Sequence, residues 1–327
     1  MVLGAACSDD EQPTYVSVSE EIMATRIGVV VPEPVATEAA RAVFDVFRDV
    51  DARASEWKPA SAISAVNQHA GEHAVAVPTD LRDLIRRAVE IGDLTDGAFD
   101  ITWAALWGLW DFRAEHPGVP PQAEIDRRLA LIDYRDVEVD DHAGTVYLPR
   151  EGMVLGLGGI AKGFALDLAA RRLRTIGVES FLVDGGGQMI AGTAKGGRPW
   201  RIGIRDPRGT PDDFFAYLEV TDVSTSTSGD YERFFIRNGV RYHHVLDPRT
   251  GKPADPPKPL RSATVVAVDA TLADALSTAF LILGADRALK LAESVAGVEA
   301  VLVDSQAQVH LTTGLEGKLR LIHPPAP

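Results

Sequence analysis

A chain of 327 residues, 46% of them hydrophobic, holds enough apolar side chain for a sizeable core in one large domain or two intimate ones. Its 33 Lys and Arg against 47 Asp and Glu leave a formal charge of -14, which excludes a surface that grips nucleic acid by neutralising phosphates. No run of about 20 apolar residues exists to span a membrane as a helix, and the single cysteine excludes an intrachain disulfide.

That cysteine, Cys7, follows Leu3-Gly4-Ala5-Ala6 and precedes the polar run Ser8 to Gln12, a pattern similar to the cleavage site of a bacterial lipoprotein signal. The expectation is a signal remnant and disordered start over 1–20 and a single domain over 21–320, of one or two close lobes. Lipid attachment at Cys7 would place the protein outside the cytoplasm on the cytoplasmic membrane; a plain free thiol would leave it cytoplasmic.

Ile22 to Val31 reads as a strand. Thr37 to Arg53 carries Ala40, Val43, Phe44, Phe47 and Val50 at helical spacing, with Thr37 as N-cap. A second amphipathic helix is predicted over Thr79 to Leu94, with Leu81, Leu84, Ile85, Ala88 and Ile91 as its buried stripe. A helical excursion follows between His116 and Tyr134. Gly158 to Gly177 combines a glycine-rich lead with a helix that Gly177 ends, and Ser180 to Val183 is the next strand. The same order recurs around Leu272 to Gly284 and Val298 to Val303, so the predicted class is α+β (mixed α/β), with helices laid on sheets. Short strands at Arg201–Ile204, Tyr217–Val220, Phe234–Arg237 and Tyr242–Leu246 form an antiparallel portion, and Asn238-Gly239 is a hairpin turn between the last two.

Five segments have the residue types for chemistry. In LGLGGIAKGFALD, Leu155 to Asp167, glycines let the backbone approach a ligand, the helix start offers N–H groups, and Lys162 adds a cation. The spacing matches neither a dinucleotide fingerprint nor a Walker loop, so a tight strand-to-helix turn is the other reading. DGGGQ, Asp184 to Gln188, is either a bulged turn or room for a flat ligand. STSGDYERF, Ser226 to Phe234, reads as a hydroxyl-rich turn before a strand. In YHHVLDPRTGKPA, Tyr242 to Ala254, alternation puts His243 and His244 on opposite faces, and Asp247 orients a site or opens a turn. In LADALSTAFLILG, Leu272 to Gly284, Asp274 and Thr278 are four apart on one helix face. They are either hard oxygen ligands for a magnesium ion or a local hydrogen-bonded pair.

Taken in order, these segments resemble the ApbE family of FAD:protein FMN transferases from Met23 to about Gly314. The matching runs are Met23-Ala24-Thr25, Ser61-Ala62-Ile63 with Asn67, TDGAFDIT from Thr95 to Thr102, GGIAKG, VDGGG, STSGDYER, HVLDPRTGKP and ADALSTA. The resemblance implies a two-lobed sheet-and-helix architecture with FAD between the lobes. It further implies magnesium-dependent transfer of FMN from FAD to a Thr or Ser hydroxyl of a target flavoprotein, with release of AMP. On the same basis Asp274, Thr278 and the Gly159 carbonyl would hold the metal, and His244 would assist the acceptor. Met23, Trp57, Ala98, Phe99, Asp100, Lys162 and Leu246 would line the FAD site. Gly156 and Gln188 depart from acids frequent in the family, and Trp57 from a tyrosine. The alternatives are an FAD pyrophosphatase giving FMN and AMP, and a non-catalytic FAD-binding protein.

Overall fold

Strict alternation in Thr25–Pro32 buries Ile27, Val29 and Val31 on one face, and this strand seeds the largest sheet of the computed structural model. Residues 13–327 are described; the Cys7 expectation lies outside them. Eight strands run in the order Tyr15–Ile22, Thr25–Pro32, Leu182–Asp184, Gln188–Ala191, Ser224–Gly229, Leu260–Ala267, Glu299–Asp304 and Val309–Leu311. Every neighbouring pair is antiparallel.

Seven α-helices are found among the described residues: α1 (Ala36–Ala54), α2 (Ala62–Gln68), α3 (Thr79–Leu94), α4 (Gln122–Leu129), α5 (Ala161–Thr175), α6 (Ala270–Leu283) and α7 (Ala285–Ser294). Helices α1, α3, α5 and α6 share the main core with Ile27, Val29, Val31, Ala263 and Val265 on one face of the sheet. The opposite face packs Val266, Val301 and Val303 against Trp200, Ile202, Ile204, Phe215 and Leu218, which come from the antiparallel strands Trp200–Arg205 and Phe214–Val220. A smaller core of Leu106, Trp110, Ile125, Phe235 and Leu246 joins α4 to the hairpin Phe234–Arg237/Val240–His243. The architecture is thus mixed, with helices laid on a sheet as the sequence predicts.

Four local expectations change. The start expected to be disordered over 1–20 is ordered from Tyr15, where the strand Tyr15–Ile22 pairs along its length with Thr25–Pro32. The strand expected from Ile22 to Val31 is two strands of a hairpin, pairing Ile22 with Thr25. The turn between them, Met23-Ala24, has φ of 55° at both residues, a left-handed turn that carries none of the usual Asn or Gly signal. Helix α1 starts after Val35 with no side-chain cap, so Thr37 lies inside the helix. The segment read as a hydroxyl-rich turn begins within a central strand, Ser224–Gly229. Its hydroxyls find partners across the layers. Ser226 Oγ meets Ser277 Oγ at 3.2 Å, Ser228 Oγ meets Ser277 Oγ at 2.8 Å, and Thr227 Oγ1 meets Thr264 Oγ1 at 2.8 Å. Buried polar groups satisfied in this way carry no desolvation penalty.

Candidate active site

Helix α6 is apolar nearly all round and almost wholly buried, so the carboxylate of Asp274 within it needs an explanation. Its Oδ2 accepts the Gly163 N–H at 2.9 Å, from the first turn of α5. The exchange is reciprocal: Asp167 of α5 accepts the Ala270 and Thr271 N–H groups at 3.0 and 2.9 Å, from the first turn of α6. Each helix thereby caps amides of the other that no intrahelical carbonyl can reach. The helices cross so closely at Gly163 that a Cβ there would lie 2.2 Å from the Ala270 carbonyl oxygen, and only glycine is compatible with that approach.

This arrangement corrects one expectation. The positive end of α5 is largely engaged inside the fold, since Ile160 and Ala161 donate to the Leu157 carbonyl and Gly163 to Asp274. A cationic complement to a phosphate must therefore come from side chains that line the cleft, and Lys162 is the one whose charge reaches Asp274.

Asp274 Oδ1 has only a long contact, 3.5 Å from Ser226 Oγ. Burial pushes its carboxyl above the usual carboxylate range, against the pull of the Lys162 ammonium. A buried carboxylate costs several kcal/mol unless paired or metal-bound. Thr278, one turn on, also lines the cleft, and its Oγ1 touches Ser228 Oγ at 3.3 Å rather than Asp274. Gly159 lies opposite: a Cβ built there would be 3.8 Å from Thr278 Oγ1. Asp274 and Thr278 offer a carboxylate and a hydroxyl at one end of the cleft, and with the Gly159 carbonyl they would make an all-oxygen set of the kind magnesium takes, an ion that keeps waters or phosphate oxygens in its other positions.

His243 and His244 diverge as alternation requires. His243 turns inward, with Nε2 3.1 Å from the Ala254 carbonyl, while His244 lines the cleft. The His244 Nδ1 is buried without a hydrogen-bond partner. Desolvation, then the charges of Arg233 and Lys162 among others, lower its pKa to about 4. At neutral pH it is an uncharged imidazole with a free lone pair, the form that accepts a proton. Asp247 is a turn residue: it receives the Arg249 backbone N–H at 2.9 Å and the Arg249 guanidinium at 2.8 Å.

Asp274, Thr278, Gly159, Lys162, His244, Met23, Trp57, Ala98, Phe99, Asp100 and Leu246 all line one cleft of about 1340 Å³. Every predicted site residue is brought together. Trp57 is 71% exposed at the rim and stacks on Trp107 at 4.4 Å between ring centroids; Trp103 meets Trp107 edge-on at 5.9 Å. Both oxygens of Asp100 face the scaffold. Oδ1 accepts the Thr102 N–H and hydroxyl at 2.7 and 2.6 Å, and Oδ2 the Tyr134 N–H at 3.0 Å. Asp100 therefore shapes the wall through the loop it holds.

Sequence reasoning missed Trp103, Trp107, Phe112, Arg113 and Glu56, which share the cleft. Of the tryptophans at 103, 107 and 110, the last is core and the first two line the cleft. Burial raises the Glu56 carboxyl above its usual range, and its place directly before Trp57 was the available signal. The departure at Gly156 also gains a cause. A Cβ there would fall 2.7 Å from Ala104 Cβ and 3.2 Å from Trp103 Nε1, and that indole donates to the Gly156 carbonyl at 3.2 Å.

Known proteins resemble this chain in sequence and in fold. The sequence model of the ApbE family matches residues 23–302. An FAD:protein FMN transferase of Treponema pallidum is 35% identical over 296 residues, 86% of this chain and 81% of its own length. One from Vibrio cholerae is 31% identical over 252 residues, 76% of this chain and 74% of its own. A crystal structure of the ApbE protein from Thermotoga maritima superposes with a TM-score of 0.84 at 34% identity, covering 93% of this chain and 99% of that one. The apo flavinyl transferase ApbE of Pseudomonas stutzeri gives 0.82 at 29% identity, with 95% and 98% covered. With the family match spanning most of its length and the predicted residues gathered in one cleft, the chain belongs to the ApbE family.

Proposed function

We propose that the protein is a magnesium-dependent FAD:protein FMN transferase, moving FMN from FAD to a Ser or Thr hydroxyl of a target flavoprotein with AMP as leaving group. The observation that carries this reading is the convergence of an oxygen-rich buried end (Asp274, Thr278, Gly159) with an aromatic rim (Trp57, Trp107) in one cleft. A pure binder needs neither a neutral buried imidazole nor a buried carboxylate.

The acceptor oxygen forms a bond to the flavin-side phosphorus as the bridging P–O bond breaks, and the electron pair leaves with AMP. His244 is assigned to take the acceptor proton, since it lines the cleft and its imidazole is neutral. Lys162 supplies positive charge within reach of both His244 and Asp274. The tryptophan pair offers a face on which a flat ring system stacks while the reacting phosphorus is held in place. Magnesium held by Asp274, Thr278 and the Gly159 carbonyl would supply charge neutralisation to the pyrophosphate oxygens.

The test is incubation with FAD, magnesium and a candidate acceptor, followed by flavin fluorescence on the denatured acceptor band. AMP release with no labelled acceptor would replace this reading with a pyrophosphatase; retained FAD with no product would replace it with a binding protein. An extracytoplasmic site of action through lipid-modified Cys7 belongs to the same proposal. Fatty-acid labelling that persists in Cys7→Ser would overturn it.

A further inference from the structure

Away from the cleft, the turn that ends α2 gathers three side chains with metal-ligand chemistry. His69 Nδ1 is 3.0 Å from Glu72 Oε2, and His73 Nδ1 is 4.0 Å from the same oxygen. The three donor atoms all lie within 4.8 Å of one another. Beyond α2 the chain makes a tight turn in which the Glu72 and His73 N–H groups both point at the His69 carbonyl, at 3.0 and 3.4 Å. The two imidazoles face each other at 4.3 Å between centroids. The turn brings the two histidines to the same side as Glu72, close enough for their nitrogens and its carboxylate to share one cation.

The backbone beneath the cluster is fixed. Ala70 is buried, and Gly71 donates to the Leu148 carbonyl at 2.8 Å. Gly71 has φ of +82°, and a Cβ there would sit 2.6 Å from the Glu151 nitrogen, so the turn is pressed against the neighbouring chain. On the other side Asn67 clamps Leu155 in both directions, Nδ2 to the Leu155 carbonyl at 3.0 Å and the Leu155 N–H to Oδ1 at 2.7 Å. The three ligating groups are partly to largely exposed, with side-chain exposures of 40%, 65% and 60% for His69, Glu72 and His73. A cation can reach them without opening the core.

We propose that His69, Glu72 and His73 form a binding site for a borderline divalent transition metal such as zinc or nickel, separate from the oxygen-lined catalytic end of the cleft. Two imidazole nitrogens and one carboxylate oxygen fit tetrahedral zinc, whose ligands lie at about 2.0–2.2 Å and which leaves a fourth position for water. Ligands at about 2.0 Å in a tetrahedron stand about 3.3 Å from one another, between the present donor separations of 3.0 and 4.0 Å, so small side-chain rotations on the held backbone are all the site requires. Magnesium, which takes oxygen and dehydrates reluctantly, has little affinity for such a set. The two metals therefore sort themselves by ligand type within one chain, independently of the transfer reaction.

The test uses the full chain in a Cys7→Ser background, so that no thiol competes. Zinc, and separately nickel, is titrated against a chromophoric chelator in millimolar magnesium, with circular dichroism confirming the fold of each variant. The expected result is one equivalent bound in the micromolar range, weakened at least about tenfold in His69→Ala and in His73→Ala and less in Glu72→Gln. Binding should persist in His323→Ala, which removes the other His-containing cluster, Asp206, Asp213 and His323. FMN transfer with magnesium alone should be unchanged in His73→Ala. Undiminished affinity in His73→Ala, displacement of zinc by magnesium, or loss of binding in His323→Ala would each overturn the proposal.

Discussion

The two ends of the cleft are built on opposite principles. At one end Asp274 sits in a nearly closed lattice, where α6, α5 and the strand Ser224–Gly229 hold one another through amides and hydroxyls. At the other, Trp57 projects from the end of α1 into solvent with Trp107 as its main partner. On the proposed function, the contrast teaches that the groups meant for charge are held in advance, while the surface meant for a flat ring is held by little more than one stacking partner. Electrostatic groups gain most from being fixed beforehand, whereas stacking tolerates small displacements.

Substitution at the buried end should strike the turnover. Asp274→Ala is expected to lower kcat for FMN transfer at least about a thousandfold while near-ultraviolet circular dichroism stays native; wild-type turnover in that variant would refute the metal assignment. His244→Ala should cost about a hundredfold in transfer, the usual worth of a positioned base, with FAD retention on a column unchanged. If retention falls as steeply as rate, His244 is a binding residue.

His244 also sets a pH dependence whose sign is fixed. Its folded pKa of about 4 lies below the ordinary 6.5, so between those values the unfolded chain takes up a proton that the folded chain refuses. Stability should therefore fall as pH drops from 6.5 toward 4, by about 3 kcal/mol at most for this group. Urea denaturation at pH 7 and pH 4.5 measures it, and His244→Ala should flatten that part of the slope.

At the open end the effects should be smaller and of a different kind. Trp57→Ala is expected to raise the KM for FAD about tenfold, the worth of one lost stacking face, with kcat within about twofold. A kcat loss to match would mean that the rim positions the reacting phosphate and would erase the contrast drawn above. The smallest effect on rate is expected from Gly156→Asp. It should lower stability by about 1–3 kcal/mol, because its Cβ meets Ala104 and Trp103, and should bring no gain in turnover.

The sequence shows the buried end more clearly than the open one. Helical spacing puts Asp274 and Thr278 on one face and alternation parts His244 from His243, but a plain structural reading fits each of them as well; they are legible because their segments fall in the order of the family they resemble. Trp103 and Trp107 stay hidden, since tryptophans at short spacing read as core and only the fold shows that these two leave it. The strand Ser224–Gly229 stays hidden for the opposite reason. A run of serines and threonines looks like a turn until Ser277 and Thr264 supply partners. The Met23–Ala24 turn has left-handed backbone at two residues that rarely adopt it, so no composition rule marks it.

The crossing at Gly163 limits how this family member can be remade. Because α5 and α6 touch there backbone to backbone, with the Ala270 carbonyl and Asp274 Cβ where a side chain would begin, no larger residue can act as a spacer between them. Widening the pocket from that side would pull the helices apart and carry Asp274 away from the Gly163 amide. A designer seeking to accept a bulkier dinucleotide must work from the tryptophan rim, where rings can be exchanged one at a time and the crossing is left alone.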